Sequence, residues 1–456
     1  MDRVRERSAV TRAPWGVLLL ALGVAALTIV LRMTPSPEAA TIVLTHGPVT
    51  GAVTSTTAKV FLRTSVQTTG ILRVTGVKGT DTISDFPFAT GSAADFTTQV
   101  SLTNLVPSAT YTLNVIINGT LQAQTGRFTA FPPLGSTDPF TFVVLSDFAG
   151  PSDFPGPGSA FVRADGENPD LVIIGGDFDH SNPHTQVEKR QMFKSLYDPA
   201  LMPTFVPHIL SRYALAHFWD DHDYGLPNGN KEYGFKALSL QVLGEYFPVY
   251  PMSANGDWQR FSYAAADFFL LDSRSQRDRN TNVDGPKHSM LDGDNLGALG
   301  QLYWLQQGLL ASTARWKFIL SPVVFNPTLT KVDSWYGFQD ERTKLVSFIA
   351  QNQIRGVVII SGDLHAGAID NGTHSTFPEM LVPAANLSRN SRNRCLSGRR
   401  RDQPNPTGTW TEGIYYTPGA NAVCNGYGVV KVTMTSVTLQ VKDENGAPVI
   451  SYVVLP

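Results

Sequence analysis

The sequence predicts two folded parts, an N-terminal β-sandwich and a larger α/β domain, and three observations carry that expectation. From Thr41 to Phe131 the chain is rich in Thr, Val, Ser and Gly, and its short alternating runs have no helical periodicity between them. A short proline-bearing stretch, Phe131-Pro132-Pro133 through Asp138-Pro139, comes next. Beyond it, apolar runs alternate with helical patterns, the signature of strands covered by helices. The boundaries that follow are 41–131 for the sandwich and 138–456 for the α/β domain. At 456 residues the chain is long enough for both. Charged residues make up 16% and the net charge is −2, a balance that argues against wrapping nucleic acid or coating an anionic membrane.

Residues 1–40 read as an export signal. Arg3, Arg5, Arg7 and Arg12 precede an uncharged apolar run from Trp15 to Leu31, and a Pro/Ser/Ala-rich stretch ends in Glu38-Ala39-Ala40. The run is longer than a usual signal core and slightly short for a membrane span, so cleaved and anchored forms both stand. Any membrane association would be through this segment, and the basic flank places the remainder on the non-cytoplasmic side.

In the sandwich region, Ala58–Arg63 and Thr110–Val115 alternate as half-buried strands do. The stretch Leu102–Tyr111 is similar to a fibronectin-type strand pair with a tyrosine at the sheet corner. In the α/β region the predicted strands are Phe140–Leu145, Leu171–Ile174, Ala214–Trp219, Phe268–Leu271, Lys317–Leu320 and Val357–Ile360. Leu296, Leu299, Leu302, Leu305 and Leu309 recur at helical spacing, as do Leu345, Phe348 and Ile349. The tail, 428–433 and 437–441, returns to β alternation and is expected to close a second sheet.

Four predicted strands end in turns that carry acids or histidines. They are Leu145-Ser146-Asp147, Gly175-Gly176-Asp177-Phe178-Asp179-His180, Trp219-Asp220-Asp221-His222-Asp223 and Ser361-Gly362-Asp363-Leu364-His365. In open α/β sheets the carboxyl ends of strands line the functional crevice, so side chains from different strands converge there. One aspartate after a strand is ordinarily a turn former or a helix cap. Several carboxylates converging is another matter, because they repel one another unless cations are present. The combination points to a metal site.

This motif series, supported by Phe269–Arg277 and Leu299–Leu305, resembles that of the PhoD-like (alkaline phosphatase D) branch of the calcineurin-like metallophosphatases over about 140–445. The resemblance implies an αββα sandwich, hydrolysis of a phosphate ester and two or more metal ions. Carried over residue by residue, it implies that Asp177 bridges two metals. Asp147 and His365 complete one side, suited to Fe or Mn, and Asp221 and Asp363 bind the other, suited to Ca, Mg or Mn. His222 stays unliganded and faces the leaving group, and Asp223 either orients that imidazole or is a turn residue. Arg274 is expected to contact the phosphoryl group, or else to form a structural salt bridge beside Asp272.

The sequence departs from the family pattern in three places. Ala149 stands where many metallophosphatases have a second ligand. His180 replaces a common tyrosine and is either a substitute ligand or a surface turn histidine. Ser321-Pro322 stands where a histidine is expected, which leaves the Asp221/Asp363 side all oxygen. Two further readings compete with a phosphoesterase of mono- or diesters: a phospholipase-like diesterase, and a cell-surface binding protein with a decayed catalytic domain. Cys395 and Cys424, the only cysteines, are expected to pair in an exported chain, with two buried thiols as the alternative.

Overall fold

The computed structural model describes residues 42–78, 80–151, 158–387, 396–398, 409–416 and 424–456. The export reading of residues 1–40 therefore falls outside the described residues. Among the described residues, no helix is long and apolar enough to cross a membrane.

Two large mixed sheets pack face to face. In the nine-stranded sheet, Phe140–Leu145, Leu171–Gly175 and Leu215–Phe218 are parallel neighbours. In the eight-stranded sheet, Ala266–Leu270, Trp316–Ser321 and Val357–Ser361 form the matching parallel set. Strands buried on both faces need apolar side chains at successive positions, which is why these segments read as near-continuous Val, Ile, Leu and Phe. The inner faces meet in an aromatic core. Phe142 of the first sheet sets its ring edge-on to Phe268 and Phe318 of the second, at 5.2 and 5.0 Å between centroids. Phe261 and Tyr250 continue the stack at 4.5 and 4.6 Å.

Helices cover the outer faces. Ser159–Gly166, Gln186–Tyr197 and Lys236–Tyr246 bury Phe161, Phe193, Val242 and Leu243 against Val143, Val172 and Ile174 of the first sheet. Gln301–Ala311 and Gln339–Gln351 bury Leu305, Leu309, Leu345 and Ile349 against Phe269, Ile319 and Ile359 of the second. Gln186–Tyr197 starts at a reciprocal cap in which Thr185 Oγ1 accepts from Glu188 N and Glu188 Oε2 accepts from Thr185 N.

Two expectations need correction. The leucine series from 296 to 309 is not one helix: Gly300 is extended at φ −80°, ψ 157° and caps a helix that starts at Gln301, leaving Leu299 73% exposed. The tail does not close a second sheet. Gly426–Val432 pairs antiparallel with Phe140–Leu145, and Val437–Asp443 and Pro448–Val454 extend that same nine-stranded sheet. Period-2 alternation marks a strand but carries no information about its neighbour.

In the N-terminal region a four-stranded sheet, of Thr68–Lys78, Thr80–Thr90, Thr110–Ile117 and Thr120–Thr129, shares a core with Leu44–Gly51, Ala58–Thr64 and Thr97–Leu102. Tyr111 Oη accepts from Val106 N at 2.7 Å, tying the corner between strands. The latter three strands also continue the nine-stranded sheet, where Gly51 pairs in parallel with Leu215. Arg127 N donates to Ser211 O at 2.8 Å, Lys59 Nζ to Val249 O at 3.0 Å and Tyr250 Oη to Val53 O at 2.8 Å, so bonding crosses the 131–138 stretch repeatedly.

The aromatic core generates a stability prediction. Phe318 is fully buried between the sheets. Phe318→Ala should lower unfolding free energy by about 3–5 kcal/mol, the usual cost of a large-to-small core cavity. Urea unfolding measures it, and a loss below about 1 kcal/mol would mean that the inter-sheet core is not the principal support of the fold.

Candidate metal centre

Each predicted strand end delivers its acids to one place. Asp147 follows Phe140–Leu145, Asp177 follows Leu171–Gly175, and Asp221 follows Leu215–Phe218. Asp363 and His365 arrive from Val357–Ser361 in the opposite sheet. The site therefore lies along the carboxyl edge where the sheets meet. Two glycines permit the approach. A Cβ on Gly176, whose φ is +78°, would lie 2.8 Å from Asp220 Cβ, and one on Gly362 would lie 2.5 Å from Ser146 Oγ.

Backbone strain concentrates here. Asp147, Asp177, Asp363 and His365 have φ of 54°, 47°, 74° and 52°, in the left-handed region that non-glycine residues seldom occupy. Such conformations persist where surrounding structure over-determines them, and they cluster at functional sites.

The ligand-capable atoms fall into three overlapping groups, each within 4.8 Å. They are Asp147, Asp177, His180 and His365; Asp177, Asp221 and His222; and Asp220, Asp221 and Asp363. Asp177 belongs to two of them. Asp147, Asp177, Asp220 and Asp221 are buried, while the rings of His180, His222 and His365 stand closer to solvent. The carboxylates form a floor and the imidazoles a rim.

Hydrogen bonds set the imidazoles. His180 Nδ1 lies 2.6 Å from Phe148 O, which can only accept, so Nδ1 carries a proton, and Nε2 lies 3.6 Å from Asp177 Oδ2. His180 is thus inside the cluster and oriented as a ligand would be. His365 Nε2 lies 3.4 Å from Asp147 Oδ1, and burial followed by its neighbour His180 brings its pKa down to about 3. His222 Nδ1 faces Asn182 Oδ1 at 2.7 Å, and Asn182 Nδ2 donates to His180 O, which fixes the amide's orientation. His222 Nε2 is 4.0 Å from Asp221 Oδ1, near enough to join the ligand atoms.

Two residues with alternatives open take up structural contacts. Asp223 is held as a turn residue. It is the third residue of the short helix Asp221–Tyr224, and its carboxylate accepts from Phe178 N at 2.5 Å and from Asp220 N at 3.3 Å, which ties the second and third strand ends together. Arg274 is held in ion pairs. Its side chain is fully buried, paired with Asp220 and with Asp333 at 3.0 Å, and Asp333 is also held by Arg277. The Asp272 carboxylate accepts from the Arg274 backbone N rather than from the guanidinium.

Sequence reasoning missed Asn182, Lys331, Asp333 and Arg277. Asn182 stands two residues after His180, a signal that could have found it. Lys331 Nζ donates to Asp363 Oδ2 from a loop with no motif. The third strand-end turn, by contrast, announces itself in the sequence. Asp220, adjacent to the predicted ligand, joins the all-oxygen group.

Electrostatics show what the cluster lacks. Burial, then the surrounding Asp221, Asp220 and Asp147, pushes Asp177 well above the usual carboxylate range. Burial raises Asp147, Asp220 and Asp363 to about 7, with Arg274 opposing at Asp220 and Lys331 at Asp363. Although burial opposes it, Arg274 holds Asp221 below its ordinary value. Asp147 Oδ1, Asp220 Oδ2 and Asp221 Oδ1 are buried without hydrogen-bond partners. Buried oxygens of this kind are costly unless a cation satisfies them, so the residues present fit divalent metal ions.

An αββα sandwich with acids and imidazoles at its strand ends defines the metallophosphatase class of folds. Residues 164–380 match the family model of the PhoD-like phosphatases. Alkaline phosphatase D of Bacillus subtilis (strain 168) is 30% identical over 181 residues, and the match covers 34% of this chain and 31% of that one, about a third of the relative's length. A solved structure of PhoD superposes with a TM-score of 0.73 at 18% identity over 92% of both chains. Purple acid phosphatase PPD1 from yellow lupin (Lupinus luteus) seeds superposes at 0.58 and 13% identity, over 90% of this chain and 74% of that one. The chain is therefore similar to the PhoD-like phosphatases over residues 164–380 and shares the fold of PhoD.

The raised carboxylates predict how the cation-stripped protein responds to pH. A carboxyl whose folded pKa is about 7 against an ordinary 3.8 binds its proton more tightly folded than unfolded. Its contribution is fully present below about pH 4 and is lost as pH rises through 7. The melting temperature of the stripped protein should therefore fall between pH 4 and 7, the raised carboxyls outweighing His365, whose lowered pKa acts in the opposite sense over the same range, and added Mn²⁺ should flatten that decline. Scanning calorimetry with and without Mn²⁺ checks it; identical profiles would show that no cation neutralises the cluster.

Proposed function

We propose that this chain is an exported, metal-dependent phosphoesterase hydrolysing phosphate mono- or diesters, with residues 41–131 as a fibronectin/Ig-like module ahead of a catalytic domain at 138–456. The observation that carries the reading is Asp177. It is a buried carboxylate shared by two ligand-capable groups, one with two imidazoles and one leading into the all-oxygen trio. The names of the relatives, alkaline phosphatase D and purple acid phosphatase, support a phosphate ester as the substrate class. Export rests on the basic and apolar N-terminal pattern.

In this reading Asp147, Asp177, His180 and His365 would hold one cation, Fe or Mn. Asp177 with Asp220, Asp221 and Asp363 would hold another, Ca, Mg or Mn. Such ions, when bound, supply a nucleophile at neutral pH and offset charge on the phosphoryl oxygens. Asp177 serves both halves, with Oδ2 toward His180 and Oδ1 accepting from His222 N at 3.2 Å. Asn182 fixes the His222 ring through Nδ1, which leaves Nε2 to donate a proton to the departing ester oxygen when the imidazole is charged. Arg274 holds Asp220 in place, and Asp223 holds the turn that carries Asp221 and His222.

Two sets of variants test this. Asp177→Ala and Asp363→Asn should each abolish hydrolysis of p-nitrophenyl phosphate and of its bis ester, and lower metal content by elemental analysis. Full turnover and occupancy in Asp177→Ala would place the site elsewhere. Running both esters before and after chelation also ranks mono- against diesterase activity.

His222→Ala should lose about 10²-fold in turnover with metal content retained. That loss should shrink for p-nitrophenyl esters, which need little protonation, and grow for alkyl esters. An equal loss across the series would remove the general-acid role, and loss of metal would make His222 a ligand.

A further inference from the structure

The two halves of the cluster are not neutralised alike. In the all-oxygen half, Arg274 pairs with Asp220 and lies 4.0 Å from Asp221 Oδ1, while Lys331 donates to Asp363 Oδ2. In the other half, among the described residues, no lysine or arginine is ion-paired with Asp147 or Asp177, and the groups facing them are His365 and His180.

The two internal cations also differ in freedom. Arg274 is fully buried and braced on both sides by Asp220 and Asp333. Lys331 comes from the loop between Trp316–Ser321 and Trp335–Phe338, and its side chain is 35% exposed. Lysine carries a compact charge on a flexible stem, so it can leave its partner without breaking the scaffold. Asp363, by contrast, is held at φ 74° on a strand end and cannot follow it. An ammonium and a divalent ion cannot share one carboxylate oxygen at contact without strong repulsion.

Resting on the reading of this cluster as paired cation sites, we propose that Lys331 is a displaceable internal counter-ion of the all-oxygen half. It holds Asp363 while that half is empty of metal, and a divalent ion must displace it in order to bind. The consequence is a pair of unequal sites, with the imidazole-bearing half tight and the all-oxygen half weak and exchangeable.

Calorimetric titration of Mn²⁺ into the cation-stripped full chain tests this, with bound Mn²⁺ counted by elemental analysis. The wild type should show a tight and a weak class. Lys331→Met should strengthen the weak class by about tenfold or more and leave the tight class unchanged, because only one competing charge has been removed. Lys331→Arg, which keeps the charge, should not strengthen it, and Lys331→Gln repeats the neutral arm if the Met variant folds poorly by circular dichroism. Two classes in which the neutral variants leave the weak one unchanged or weaker would overturn the counter-ion role while leaving the paired-site reading intact. A wild-type chain that binds no Mn²⁺ would overturn both.

Discussion

Five carboxylates, those of Asp147, Asp177, Asp220, Asp221 and Asp363, converge in one largely buried place, and the rest of the structure is arranged around their mutual repulsion. Left unpaired, such a cluster would drive its members to protonate or the edge to open. The fold answers part of the charge itself. Arg274 and Lys331 sit against the all-oxygen half, and Arg274 is anchored in turn by Asp333, which Arg277 also holds. Facing Asp147 and Asp177 it provides imidazoles instead, and there the need for a cation is greatest. A buried guanidinium between two carboxylates does not make the protein stable in itself; its function is to fix where the negative charge stays.

Holding that charge requires rigidity, and the sandwich supplies it. Four site residues lie in left-handed backbone, a geometry that neighbouring structure must impose. Parallel strands from both sheets hold the turns at one end, and the aromatic stack of Phe142, Phe268 and Phe318 locks the sheets together beneath them. Asp223 bridges adjacent turns through the backbone N–H groups of Phe178 and Asp220, so the loops carrying Asp177 and Asp221 are coupled. The N-terminal strands join the same sheet through Gly51 and Leu215.

The buried parallel strands were legible because their apolar runs are local, and the strand-end motifs because each fits within a few residues. Errors arose where the deciding contact is remote. Helical spacing from Leu296 onward ignored the extended Gly300, and the tail strands gave no sign that Phe140–Leu145 is their partner. A guanidinium suits a phosphate or a salt bridge alike, and the carboxylates that enclose Arg274, Asp220 and Asp333, include one 59 residues further along the chain. Lys331 had no motif to mark it. Cys424 is disulfide-bonded, and Cys395, the only other cysteine, lies outside the described residues.

By itself the sequence determined the chemistry available: carboxylates and histidines after apolar strands, in an order that permits convergence on cations. It also determined that the Asp363 side would contain no histidine from Ser321-Pro322. Tertiary structure alone decided which oxygens face one another, that Asn182 meets His222, and that Arg274 is enclosed while Lys331 is not. The reason is physical. Residue type sets what a side chain can bind, but charge balance and burial depend on groups brought within a few ångströms from distant parts of the chain, and only the packed sheets fix those distances.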